Sequence, residues 1–360
     1  MPNKNPASLI EVLRKWLDKH FADEEALLLL LLVALGLWAV VKLGHVLSPF
    51  IASLIIAYLL QGFVERLTRF GASYITSVVI VFVSFIAVVV IAFVLLIPLA
   101  WHQLRNLGVE LPHMVSQGQH VLMTLPEQYP ELISPGQFDN LMLQVKERIS
   151  GVGQNLVSIS FTSLPNVLAV AVYLVVVPIL VFFLLKDKDL LMERLVRFLP
   201  EERPILQQVW NEMNVQIANY IRGKALQMLI VSVATLVAFY LFGLKYSVLL
   251  AVLVGLSVII PYIGPILVTV PVVMVAYFQW SFGPQFFWLC LIYLLVQAID
   301  GYVIVPILFS EAVNLHPIVI IMAVLVFGSM WGFWGVFFAI PLATLIKAVI
   351  RAWPSVDAIQ

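Results

Sequence analysis

Residues 251–277 read AVLVGLSVIIPYIGPILVTVPVVMVAY, an apolar run interrupted at Pro261-Tyr262-Ile263-Gly264-Pro265 and again at Pro271. The surrounding stretch, Tyr246 to Gln279, is long enough to cross a bilayer, which takes about 20 apolar residues. A second stretch, Leu315 to Lys347, follows the same plan, with Gly328, Gly332 and Gly335 inside it and Pro341 beyond. Both carry Ala-Val-Leu-Val upstream, at Ala251 and at Ala323. Backbone released from helical hydrogen bonds is costly in lipid unless protein buries it or it lines a wet cavity, so paired broken helices point to a transport path. Pro261, Tyr262, Gly264, Pro265, Pro271, Gly328, Gly332, Gly335 and Pro341 are its candidate lining.

Composition sets the class. Of 360 residues 62% are hydrophobic and 11% charged, with mean hydropathy +1.04, against roughly 25% charged in soluble domains. Such a chain is an integral membrane protein, and its spacing predicts an all-α polytopic helical bundle. A net charge of zero says little by itself, but it carries no signal for a polyanion, and nucleic acid is not among the expected partners. The single cysteine, Cys290, lies in an apolar run and allows neither an intrachain disulfide nor a Cys-rich metal site. Neither a G-x-x-x-x-G-K-[ST] loop nor an H-E-x-x-H motif occurs, and Asp300 has no second acid deep in an adjacent apolar span. The expectation is a protein without enzymatic activity, cofactor or metal.

Apolar runs at Leu27 to Leu47, Phe50 to Phe63, Ser73 to Ala100, Phe161 to Leu185, Ala225 to Phe242 and Phe286 to Leu308, with the two broken stretches, give about eight spans. Counting each broken stretch as a single crossing, rather than as a re-entrant hairpin, underlies that number. Lys186, Lys188, Arg194, Arg197, Arg203, Arg222 and Lys224 crowd one polar segment, whereas His102 to Ser160 holds only Arg105, Lys146 and Arg148. The positive-inside rule puts the first segment in the cytoplasm, and an even number of spans puts both termini there too.

The organisation expected is an interfacial amphipathic helix over 1–26, transmembrane helices over 27–100, a periplasmic helical insertion over 101–160 and a fourth span over 161–185. A cytoplasmic helical linker over 186–224, the remaining spans over 225–350 and a cytoplasmic tail over 351–360 complete it. Pro112, Pro126, Pro130 and Pro135 should break the insertion into short helices forming a small cap, with Leu141, Val145 and Ile149 on one face. After Pro204, residues Leu206, Val209, Trp210, Met213, Ile217, Tyr220 and Ile221 trace one helical face that must pack on something.

Between Ala225 and Ile346 the formally charged residues are Lys245, Asp300 and Glu311, with His316 as the imidazole. Ionisable groups at membrane depth usually face a bundle interior or a water-filled path. Asp300, inside an apolar run, is either a proton- or cation-sensing carboxylate or an interfacial helix-capping acid. Glu311 is a second sensing candidate, with a solvated cap as its plainer reading. His316, followed by Pro317, is either a helix-start residue or a titratable group suited to proton-coupled gating. Lys245 reads as a headgroup-seeking turn residue. Trp331, Phe333, Trp334, Phe337 and Phe338 read as packing or interfacial anchors.

The motifs Asn219-Tyr220-Ile221-Arg222-Gly223-Lys224, Phe242-Gly243-Leu244-Lys245-Tyr246, Ile260-Pro261-Tyr262-Ile263-Gly264-Pro265 and Leu315-His316-Pro317 together resemble the autoinducer-2 exporter (AI-2E) family. The likeness extends through Phe182-Phe183-Leu184-Leu185-Lys186-Asp187 and Trp331-Gly332-Phe333-Trp334-Gly335 to Pro341-Leu342-Ala343, covering about residues 20 to 353. It implies a multi-pass protein of the bacterial inner membrane, a homo-oligomer and specifically a pentamer, that acts as a secondary exporter or permease. The implied cargo is a small solute, or cations exchanged for protons. The family's acid followed by an amide is here Asp300-Gly301, which departs from the pattern that an ion-coupling role would borrow. A non-transporting membrane scaffold and a channel are the alternatives.

Overall fold

The computed structural model describes residues 24–128, 164–200, 203–309 and 315–353. Every regular element among them is helical, as a chain of this hydropathy requires, because a helix satisfies its own backbone where water is absent. In order these are α1 (Glu24–Arg69), α2 (Tyr74–Ile91), a π-turn (Ala92–Leu96), α3 (Ile97–Gln128), α4 (Leu164–Lys186), α5 (Lys188–Val196) and α6 (Pro204–Leu241). Then follow α7 (Ser247–Ser257), α8 (Ile263–Trp280), α9 (Pro284–Ile299), a second π-turn (Asp300–Ile304), α10 (Val305–Phe309), α11 (Pro317–Phe337) and α12 (Ala339–Ala352).

Among the described residues seven stretches are long and apolar enough to cross a membrane: Leu27–Gly44, Val46–Arg69, Tyr74–Met114, Pro204–Leu241, Ile263–Trp280, Pro284–Phe309 and Pro317–Phe337. Val172–Lys186 and Ser247–Ser257 are shorter apolar helices. The expected crossing Phe161 to Leu185 begins outside the described residues, whereas Leu27 to Leu47 and Phe50 to Phe63 each match one of the seven. In the structure both lie on α1, a single helix of 46 residues that runs through Pro49 and spans roughly 69 Å at about 1.5 Å per residue. Leu35, Trp38, Val46, Val83, Ile91, Ile266 and Ile307 are among many exposed apolar side chains on these helices, a surface suited to lipid rather than water.

The chain divides into two compact units. One comprises Met1–Val78, Ile179–Lys224 and Pro306–Gln360; the other comprises Val79–Pro178 and Ala225–Val305. The first is organised where the start of α6 meets α1 and α12: Leu206, Val209 and Met213 are buried with Leu29 and Ala348. The amphipathic face after Pro204 thus finds its partner inside the chain, although Trp210 points outward, 52% exposed. The Glu25 carboxylate accepts from the Leu206 amide at 2.8 Å, supplying negative charge at a helix N-terminus where backbone donors lack partners. At the opposite end of α1, the Tyr74 hydroxyl donates to the Leu185 carbonyl at 2.6 Å as α4 finishes. The amphipathic segment and the apolar run beginning at Ala225 form one uninterrupted 38-residue helix.

The second unit packs α3, the latter part of α6, and α7 to α9 around Phe239, Leu250, Val254, Val272, Val275, Leu289 and Tyr293. Here α3 continues through Pro112 to Gln128 as one helix. Leu141, Val145 and Ile149 of the expected cap lie outside the described residues, as do most of the N-terminal helix and the end of the tail.

Candidate transport path

The first broken stretch lies wholly in the second unit. α7 ends at Ser257, and the chain turns through Ile260-Pro261-Tyr262 into α8. The reversal is a γ-turn: the Ile263 amide donates to the Pro261 carbonyl at 2.7 Å, with Tyr262 at φ 63° and ψ −49°. That conformation is rare and strained for a side-chain-bearing residue. Gly264 is buried directly behind it, and a Cβ there would land on the Ser257 carbonyl oxygen. Only glycine lets α8 start so close to the end of α7. The two helices consequently fold back on each other and share the core of the unit, with Leu250 and Val254 beside Val268 and Val272.

The entrance to this hairpin is held as firmly. Tyr246 adopts a left-handed conformation (φ 59°) immediately before α7, and Gln279 clamps the turn by accepting from the Lys245 amide at 2.7 Å and donating to the Gly243 carbonyl at 2.8 Å. From α3, Gln103 accepts from the Leu249 amide at 2.9 Å. Burial, with the Glu110 carboxylate second, pushes the Tyr246 phenol up to about 12. Lys245 is exposed.

Asp300 opens the second π-turn and is buried, at 4% exposure. Insertions of this kind inside α-helices occur often at functional sites. The Gln227 Nε2, itself on a buried side chain, donates to Oδ1 at 2.8 Å and to Oδ2 at 3.0 Å. A buried carboxyl group needs such partners, because a polar group left unpaired in an apolar interior pays its desolvation cost in full.

One turn before Asp300, a hydrogen-bonded thread connects α9 with the first break. Gln297 Nε2 donates to the Tyr293 hydroxyl at 2.8 Å, the Tyr293 and Thr269 hydroxyls lie 3.0 Å apart, and Thr269 donates to the Pro265 carbonyl at 2.7 Å. Because the single Thr269 proton goes to Pro265, Tyr293 must donate to Thr269, so every proton in the thread points towards the break. Thr269 also borders an apolar groove of about 430 Å³ along α8, lined further by Val270, Val273, Met274, Tyr277 and Phe278. Pro271 sits within the same helix.

The second broken stretch belongs to the first unit. Its chain reverses at Gly332, whose φ of 60° and ψ of −133° lie in a region open essentially to glycine. Gly335 then rests against the carbonyl of Phe327, where a Cβ would collide with it, and a Cβ on Gly328 would meet Val336 at 2.9 Å. Trp331 stacks on Phe338 with ring centres 6.0 Å apart, and Phe333, Trp334 and Phe337 complete the aromatic cluster by edge contacts. In an uninterrupted helix the amide of residue 341 would donate to the Phe337 carbonyl. Residue 341 is proline, and the buried Tyr220 hydroxyl donates there instead at 2.8 Å.

Of the ionisable candidates, His316 is the exposed N-cap of α11, its Nδ1 accepting from the Ile318 amide at 3.3 Å. It stands at the far end of the first arm of α11 from Gly332, roughly 22 Å away along the helix at about 1.5 Å per residue. Glu311 lies outside the described residues. Gln227, Tyr293, Gln297, Thr269 and Tyr220 are among the side chains that tie the breaks and Asp300 to their surroundings, and these five carry no formal charge. A scan for formal charge passes over them, whereas amides and hydroxyls inside apolar runs are the signal that finds them. Among the described residues no group of His, Cys, Asp and Glu could hold a metal ion.

A family model described as AI-2E family transporter matches residues 27–355. The chain is 48% identical over 347 residues to a protein of Escherichia coli (strain K12) named "Putative permease PerM", covering 96% of this chain and 98% of that one. More distant likenesses include "Putative transport protein YrrI" of Bacillus subtilis (strain 168), 25% identical over 87% of each chain. Another is "Putative transport protein sll0063" of Synechocystis sp. (strain ATCC 27184 / PCC 6803 / Kazusa), 27% identical over 94% of this chain and 88% of that one.

Proposed function

The chain belongs to the AI-2E transporter family, and on that premise we propose that it is an inner-membrane secondary transporter that exports a small solute or exchanges cations for protons. The observation carrying this reading is Asp300, a carboxylate buried at a π-turn of a membrane-length helix with the Gln227 amide across both its oxygens. An acid maintained at such cost in an apolar bundle suits a proton- or cation-sensing role. Pro261, Tyr262, Gly264, Pro265 and Pro271 are the path-lining residues of the one stretch, and Gly328, Gly332, Gly335 and Pro341 those of the other, each taken within its own unit. Their fold-backs are the elements that change shape during transport. Glu311 is a secondary sensing candidate, and the exposed N-cap geometry of His316 favours its helix-start role over gating.

The topology that accompanies this reading keeps the basic segment 186–224 and both termini in the cytoplasm, with the insertion over 101–160 in the periplasm. The protein works as a homo-oligomer in the lipid bilayer. The deciding experiment measures uptake and efflux in proteoliposomes with and without a pH gradient, for the native chain and for Asp300→Asn. Gradient-dependent flux that disappears in the variant supports the coupling role, and identical flux in both rejects it. A folded protein that moves no solute would turn the reading towards a scaffold.

A further inference from the structure

The motif at 219–224 reaches the second break through one side chain. Tyr220, 2% exposed, lies between Phe309, at 5.9 Å between ring centres, and Phe337, at 5.9 Å and nearly perpendicular. Its hydroxyl donates to the Phe337 carbonyl, the acceptor that Pro341 leaves without a helical amide. Gly223, three residues on, is so close to the Phe309 ring that a Cβ would lie 2.8 Å from Cε1, and the Lys224 ammonium sits 5.2 Å from the centre of that ring. The tyrosine is therefore packed too tightly to donate anywhere else without moving.

We propose that Tyr220 is a positioning residue for the second break: its hydroxyl replaces the amide that Pro341 lacks and fixes the junction between α11 and α12 at Phe337. A proline at 341 removes a hydrogen bond from the one place where the reversing chain rejoins a regular helix. A carbonyl orphaned in an apolar interior bears its desolvation cost without compensation, so the junction is stable only while a side chain from elsewhere serves it. This substitutes a bond between side chain and backbone, which can be released by moving one ring, for a bond within a helix. In the transport cycle, a reading on which this part of the inference rests, release of Tyr220 frees the break to change shape.

The test uses the full-length protein in detergent or nanodiscs and reads amide hydrogen exchange over residues 333–343. Tyr220→Phe keeps the ring between Phe309 and Phe337 and removes the donor. Exchange in 333–343 should quicken roughly three- to tenfold, the factor a single hydrogen bond of this kind carries, while residues 264–280 exchange as in the native chain. In a Pro341→Ala background, where an amide becomes available, Tyr220→Phe should have no further effect. Unchanged exchange in Tyr220→Phe overturns the proposal, as does an acceleration that persists undiminished beside Pro341→Ala. If Tyr220→Phe alone does not fold, the double variant must recover folded protein, and its failure counts against the proposal. None of these readouts requires flux, so they stand apart from the transport reading.

Discussion

Gln227 and Asp300 are 73 residues apart in the chain, yet one amide nitrogen of the glutamine lies 2.8 and 3.0 Å from the two oxygens of the aspartate. Both side chains are buried, so removing the donor while keeping the acid is expensive. Gln227→Leu should lower stability by about 1–3 kcal/mol. Thermal unfolding of this variant beside the native chain in the same detergent checks the loss; an unchanged midpoint would mean that the contact contributes nothing.

Two glycines give opposite expectations for the same substitution. Gly264→Ala drives a methyl into the Ser257 carbonyl, a backbone atom that cannot rotate away, and should cost about 1–3 kcal/mol or more. Gly301→Ala meets nothing within 4 Å and restricts the unfolded chain, so it should be neutral or stabilise by up to about 1 kcal/mol. Midpoints of thermal unfolding separate the two.

Tyr262 holds a γ-turn with its side chain 52% exposed, so little buried area depends on the ring. Relief of the positive φ is worth about 1–3 kcal/mol, against roughly 0.5–1 kcal/mol for the added freedom of glycine in the unfolded chain. The first exceeds the second, and Tyr262→Gly should raise the unfolding midpoint. A lowered midpoint would show that the ring contributes more than its exposure suggests.

The Tyr246 phenol, raised to about 12 by burial and by Glu110, should titrate late in the ultraviolet difference spectrum near 295 nm, with its amplitude missing in Tyr246→Phe. A phenol whose folded pKa exceeds its unfolded value stabilises the fold fully below about pH 10, and that contribution is lost as pH rises through about 12. Glu110→Gln removes the carboxylate's contribution and leaves that of burial, the largest single cause, so the midpoint should fall only part of the way towards 10.

Membrane class and helical architecture were legible because hydropathy and the absence of backbone-satisfying water leave so few alternatives. Both breaks were legible from Pro and Gly, whose backbone effects are local. The manner of breaking was not: that Tyr262, rather than a glycine, takes the positive φ depends on how closely Gly264 brings α8 to α7. Charge drew attention to Asp300 but passed over its companion Gln227, because an amide in an apolar run carries no formal charge and its partner lies on a distant helix. Pro341 was noted as a helix breaker, while the donor that compensates for it comes from Tyr220, 117 residues from Phe337. Such pairings follow from tertiary packing, on which local periodicity is silent.

The aromatic stack of Trp331 on Phe338 gives the second break a built-in fluorophore. The Trp331 indole nitrogen is buried without a hydrogen-bond partner, so its emission should be blue and should redden when the reversal at Gly332 opens to water. Between Tyr246 and Gln279 there is no tryptophan at all. In a variant that keeps Trp331 and replaces the other eight of the nine tryptophans, the second break reports itself by its own light, and moving that single tryptophan into the first break would report the other.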